Sequence, residues 1–265
     1  MISAAAQTQR DLWGTDARSW AELAESHNRP LFEAVLSAAQ VDSGSVLLDV
    51  GCGTGLALVL AGQRGASLAG IDVTPELLAI ARGRLPGADL RDGDMQVLPW
   101  GDAEFDAVVG INAFQFAGDP VEALREAARV VRPGGLVAAS LFAAPELSQG
   151  TVVHEAMSTL IPADQHGSHA PYSLSEPGNL ESALLSAGLE VVADGEVGCD
   201  WRYGDMDDAV RGLLCSAGGA RAVQEAGEAA VLELLPRAMA QFQDETTGVV
   251  TMHNTFRWVT ARRPR

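Results

Sequence analysis

From residue 46 to residue 142 the chain alternates short apolar runs with helix-forming stretches, and this rhythm constrains its fold more than any other feature. The runs "SVLLDV", "ASLAGIDV", "GADLRDGD", "FDAVVGIN" and "LVAASLF" read as five strands. Residues 55–61 read as a helix closed by Gly62 and Gly65. Thr74, Pro75 and Glu76 mark a second helix start, with Leu77, Ala81 and Leu85 along one face. Asp119 and Glu122 predict a capping box around Pro120, opening a helix that turns Leu124, Ala128 and Val131 inward and stops at Pro133. Strands apolar on both faces and joined by helices demand a parallel sheet with right-handed crossovers. The expectation is an α/β, Rossmann-like, doubly wound, mostly parallel sheet.

Beyond residue 143 the rhythm breaks. One short helical pattern is followed by a loop with Pro162, Gly167 and Pro171, then by a helix over about 176–187 and a strand, "LEVVADGEV". Residues 205–242 read as helical, and "NTFRWVTAR" as a closing strand. The predicted organisation has N-terminal helices over 1–45, a ligand-binding core over 46–143 and lid insertions at 144–175 and 203–247. Residues 176–202 and 248–265 complete the core. Insertions at these points would sit over the carboxyl edge of the sheet, where open α/β sheets bind ligands.

The first crossover carries "LLDVGCGTGLAL". Its glycines are spaced GxGxG, whereas the dinucleotide fingerprint is GxGxxG: counted from Gly51 the sixth position is Leu56, and counted from Gly53 it is Leu58. Asp49 lies two residues ahead of the loop, where a carboxylate repels a pyrophosphate but can hold an ammonium. A ligand combining an amino acid, a ribose and an adenine without phosphate is S-adenosylmethionine.

With that loop, the stretches "GIDVTPELLAIAR", "GDMQVLPWGDAEFDAVVG" and "ALREAARVVRPGGLVAASLF" make residues 46–142 resemble the class I S-adenosylmethionine-dependent methyltransferases. The likeness is to the group similar to the ubiquinone and menaquinone C-methyltransferases and many small-molecule methylating enzymes. It implies that Asp49, Gly51, Cys52, Gly53 and Gly55 surround the methionine end. It also implies that Asp72 accepts the ribose hydroxyls, that Val73 packs on the adenine, and that Asp94 and Met95 meet the adenine edge and ring. Asn112, Ala113 and Phe114 would lie near the sulfonium and substrate. The implied activity is methyl transfer to oxygen, nitrogen or carbon of a small molecule. A protein that binds the cofactor without methylating, such as a cyclase, is the alternative; a nicotinamide-dependent oxidoreductase is disfavoured by the missing glycine.

On the acceptor side, His166 and His169 in "QHGSH" are candidate catalytic bases, with two solvated histidines in an exposed loop as the favoured alternative, and His154 and Tyr172 are candidate pocket groups. Trp13 and Trp20, seven apart, share a face on a leading helix and either wall the pocket or pack on the flank. Trp100 reads as lying near the adenine, and His27 and His253 as surface or packing residues.

A formal net charge of −17 argues against nucleic acid as a partner. Cys52, Cys199 and Cys215 are too far apart for a zinc site, so no metal is expected. No run suits a membrane span or a secretory leader, giving a cytoplasmic monomer or homodimer with a small-molecule substrate as the expectation.

Overall fold

The computed structural model describes residues 2–162 and 173–265. Five strands alternate with helices as the sequence predicts: β1 (Val46–Val50), β2 (Ser67–Asp72), β3 (Asp89–Asp92), β4 (Phe105–Ile111) and β5 (Val131–Phe142). Two long strands follow, β6 (Glu190–Tyr203) and β7 (Val250–Arg262). Among the described residues they form one sheet in the order β3-β2-β1-β4-β5-β7-β6. Strands β1 to β5 pair in parallel, while β7 runs antiparallel to both β5 and β6. The strand order reverses at β1, so the carboxyl ends of β1, β2 and β4 open onto a shared crevice.

The N-terminal segment is broken where one leading helix was expected. Helix α1 (Ala4–Trp13) stops at Gly14, and α2 (Ala17–Ser19) is a single turn. A π turn (Trp20–Ala24) and a 3-10 turn (Glu25–Asn28) then lead into α3 (Arg29–Ala38). Trp13 and Trp20 therefore stand on different elements, and the reversal between them brings their rings edge to face at 4.9 Å.

Helices α4 (Leu56–Gln63), α5 (Pro75–Arg84) and α6 (Pro120–Val130) make the crossovers. Three local expectations change. The Thr74 side chain makes no capping bond to α5. The Asp119 carboxylate does cap α6, accepting from the Val121 and Glu122 N–H groups at 3.0 and 3.1 Å. The return half of the box is absent, because the Glu122 carboxylate pairs with Arg125 instead. Helix α6 ends at Val130, so its inward face is Ala123, Leu124, Ala127 and Val130, and Val131 already belongs to β5.

Helix α7 (Gly150–Ser158) follows β5, and α8 (Asn179–Ser186) precedes β6. Between β6 and β7 come α9 (Met206–Leu214), α10 (Ala217–Ala226) and α11 (Glu228–Met239). Helix α10 packs on α1, and α11 on α7, so segments distant in sequence roof the crevice together. Among the described residues no helix is long and apolar enough to cross a membrane.

Candidate functional site

The loop after β1 is shaped by left-handed backbone: φ is +74° at Gly51 and +53° at Gly53. The Gly51 and Cys52 N–H groups both donate to the Ile71 carbonyl, at 2.8 and 3.0 Å, drawing the loop onto the end of β2. A Cβ at Gly51 would stand 2.7 Å from the Ala113 Cβ. Gly51→Ala is therefore expected to cost about 1–3 kcal/mol of stability through strain and overlap together. Thermal melting of the variant checks this, and an unchanged midpoint would show that the loop has slack.

Four carboxylates reach the cavity that the loop opens onto: Glu25, Asp49, Asp72 and Asp94. Burial, helped by the negative charges of Asp72 and Glu25, pushes the Asp49 carboxyl up to about 8. Burial also raises Asp72, against the pull of the Thr74 and Gly53 N–H groups, which donate to it at 2.8 Å each. At Asp94 burial is outweighed by the Gln96 and Ser3 N–H donors, and the carboxyl sits below its usual value. The Ser3 bond ties the start of α1 to the crevice. No Arg or Lys lines the cavity among the described residues.

Glu25 carries a role that its own stretch of sequence does not announce. It is buried and accepts hydrogen bonds from the Thr54 hydroxyl, the Leu56 N–H at 3.3 Å and Arg84 Nη1 at 2.6 Å. Gly55, the residue before α4, offers no side-chain cap, so Glu25 supplies from a distance the acceptor that the helix start lacks.

Unpartnered polar atoms also converge here. Gln9 Oε1, His27 Nδ1, Asn112 Oδ1 and Gln115 Oε1 are buried, make no hydrogen bond, and belong to residues that line the cavity. Asn112 is held at φ +51°, a left-handed conformation that asparagine tolerates better than most residues. Beyond it the cavity is aromatic. Phe142 meets His154 and Trp201 edge to face at 5.6 and 5.9 Å and Phe256 at 4.4 Å. Burial lowers the His154 imidazole to about 4, so it is neutral at pH 7.

Asp49, Gly51, Cys52, Gly53, Asp72, Val73, Asp94, Met95, Asn112 and Ala113 all line this cavity, as do Trp13, Trp20 and His154. Two expected cofactor residues turn away. Phe114 is buried in the core with its ring against Gly110, and its neighbours Gln115 and Phe116 face the cavity instead. Gly55 packs against Ala81 and Leu85 of the α5 side. Trp100 is likewise core, its indole N–H donating to Asp89 at 3.0 Å. His27, read from sequence as surface or packing, lines the cavity, whereas His253 is exposed and pairs with Asp200. His166, His169 and Tyr172 lie outside the described residues.

Residues 48–139 match the family model described as "Methyltransferase domain". Methyltransferase GfsG of Streptomyces halstedii is 36% identical over 130 residues, 46% of each chain. The malonyl-[acyl-carrier protein] O-methyltransferase of Serratia marcescens is 33% identical over 128 residues, 48% of this chain and 50% of that one. The chain spans about half the length of the curated relatives it matches. Among solved structures, the [4+2]-cyclase SpnF superposes with a TM-score of 0.55 at 24% identity, over 88% of this chain and 80% of that one, a likeness of fold. The domain match spans β1 to β5, the strands whose carboxyl ends hold the acid-flanked glycine loop, so it is residues 48–139 that are similar to a methyltransferase domain.

Proposed function

We propose that this protein transfers a methyl group from S-adenosylmethionine to an uncharged small molecule held in the aromatic end of the cavity. The observation that carries the reading is the make-up of the lining: four carboxyl groups, Asp49 protonated until a cation arrives and Glu25 paired with Arg84, and no Arg or Lys facing the cavity among the described residues. Such a lining attracts a sulfonium and an ammonium and repels phosphate, carboxylate and pyrophosphate. An anionic acceptor would meet no Arg or Lys there among the described residues.

The residues fit the cofactor. Asp49, raised by burial and without a cation partner among the described residues, gains most from an ammonium neighbour. Asp72, whose two oxygens each already accept one N–H, keeps a second lone pair on each for a vicinal diol. Val73 and Met95 supply apolar surface for the adenine. Asn112 Oδ1, buried and unpartnered, awaits a donor. Bound there, the cofactor supplies an electrophilic methyl group, so the protein's work is to orient the acceptor and exclude water. The N-terminal turns and helices α7, α9 and α10 roof the cavity for that purpose.

Calorimetric titration with S-adenosylhomocysteine and with a nicotinamide dinucleotide tests the pocket. Binding of the first alone is expected, and binding of the second alone would overturn the reading. Transfer of labelled methyl to a panel of neutral acceptors tests the reaction; cofactor binding without transfer to any of them would favour the non-methylating alternative. Asp72→Ala is expected to weaken S-adenosylhomocysteine about 30-fold, the loss of one or two charge-assisted hydrogen bonds, with the melting midpoint nearly unmoved. Equal affinity would remove Asp72 from the site.

A further inference from the structure

His27 sits in the 3-10 turn that joins the N-terminal segment to α3, in a stretch with no helical or strand periodicity. Its two ring nitrogens face different environments. Nε2 lies 3.0 Å from the Arg202 carbonyl oxygen of β6. A carbonyl only accepts, so Nε2 must carry the proton, and the neutral ring then holds a bare lone pair on Nδ1. That Nδ1 is buried and meets no donor, and the residue lines the cavity. The ring cannot swing away freely. Tyr203 packs edge to face against it at 4.7 Å, and the Arg202 bond fixes its rotation.

The neighbouring wall shows what such a lone pair would face. Asn28, next in sequence, accepts from the Trp201 indole N–H at 3.2 Å and so holds that ring against Phe142. A flat apolar slot beside a single fixed acceptor suits a ring carrying one hydroxyl.

We propose that His27 is the proton acceptor for the methyl acceptor, and that the acceptor is a neutral aromatic hydroxyl compound. This rests on the methyl-transfer reading above and names its substrate class. In the step, the hydroxyl oxygen forms a bond to the methyl carbon while the sulfur–carbon pair returns to sulfur. The hydroxyl proton passes to Nδ1, and the O–H pair stays on oxygen. His27 is left as an imidazolium with Nε2–H still on the Arg202 carbonyl, and it returns the proton to water when product leaves. Neutral ether and neutral thioether are the products, so charge balances across the cycle.

The test uses two probes that differ only in the reacting group, 4-methylumbelliferone and its 7-methoxy ether, titrated into the full chain loaded with S-adenosylhomocysteine. The hydroxyl compound is expected to bind about 10-fold more tightly, the worth of one buried hydrogen bond. His27→Phe, which keeps the ring packing but has no nitrogen, should erase that preference while leaving S-adenosylhomocysteine affinity unchanged. His27→Asn, which returns an acceptor close to the Nδ1 position, should restore part of it. With methyl donor, turnover of 4-methylumbelliferone should fall about 100-fold in both variants, since neither holds a base. Nitrogen-15 spectra of the wild-type imidazoles should show His27 protonated on Nε2 alone. A wild-type pocket that takes both coumarins equally, or neither, overturns the proposal, as does a His27→Phe variant that keeps the preference or a spectrum with the proton on Nδ1. Failure of S-adenosylhomocysteine itself to bind the wild type would be the separate failure of the methyl-transfer reading.

Discussion

Replacing Asp49 by Asn is expected to weaken S-adenosylmethionine roughly 1,000-fold and, in the cofactor-free protein above pH 8, to raise the melting midpoint by about 5 °C. Both effects have one cause. Asp49 is 2% exposed, and among the described residues no hydrogen bond or cation supports its charge, while Asp72 and Glu25 oppose it. Its carboxyl therefore holds a proton up to about pH 8 in the folded protein, against an ordinary value of 3.8. The native state thus binds more protons than the unfolded chain between those two values. This contribution to stability accordingly declines as pH rises through that window and is fully unfavourable above it. The full shift would correspond to about 6 kcal/mol; relaxation and water entry in a cavity reduce it to an expected 2–3 kcal/mol. Asparagine has the same shape without the charge and removes the penalty.

Binding runs the other way. An ammonium placed beside Asp49 expels its proton, so the wild type should release close to one proton per ligand at pH 7, and affinity should climb up to tenfold per unit from pH 6 to 8. Losing one partner of a buried ion pair costs about 4 kcal/mol, the source of the expected 1,000-fold. Calorimetry in buffers of different ionisation enthalpy reads the proton release directly. An Asn variant that binds as the wild type does, or that melts lower at pH 9, would sink the account.

Residues 46–142 were legible because their chemistry is local. Most strands carry a continuous apolar run, whereas the polar edge strand β3 is marked only by its place in the alternation, and the glycines of the loop fall where φ is positive. The misreadings also have local causes. After Asn112 the chain enters a 3-10 turn, Phe114–Phe116, so it is Gln115 and Phe116 that reach the cavity while the larger apolar signal of Phe114 goes to the core. The "PGG" after α6 reads as a helix stop, yet β5 begins at Val131, ahead of those residues, and takes up a register shift against Phe105 and Ala107. What sequence could not show is long-range. Glu25 meets Thr54 across 29 residues, and His27 meets Arg202 across 175. Their stretch, "ESHNRP", forms a 3-10 turn and a helix entry whose side chains are placed by contacts with the loop and β6, so periodicity carries no trace of them. Even the two tryptophans meet for another reason than their spacing, since a chain reversal and not a common helix face brings them together.

Glu25→Gln tests that long-range wiring. Glu25 is 4% exposed and ties the N-terminal turns to the glycine loop through Thr54, to the start of α4 through the Leu56 N–H, and to the last turn of α5 through Arg84. Glutamine keeps the size but supplies only one acceptor oxygen and no charge. Breaking a buried pair from one side costs about 3–5 kcal/mol, and the Arg84 side chain, 30% exposed, recovers some hydration, so the lower end of that range is expected. A fall of about 6–10 °C in the melting midpoint follows for a chain of this length. A purely structural role would end there. Glu25 also raises Asp49 by its charge, so its removal should move the pH at which cofactor affinity levels off downward from about 8. Combining Glu25→Gln with Arg84→Met separates the two effects. The double variant should recover part of the stability lost by the first, because no unpaired guanidinium remains, yet keep the shifted pH profile. A profile that stays at the wild-type position while the melting midpoint falls would mean that Glu25 props the loop without acting on the charge of the site.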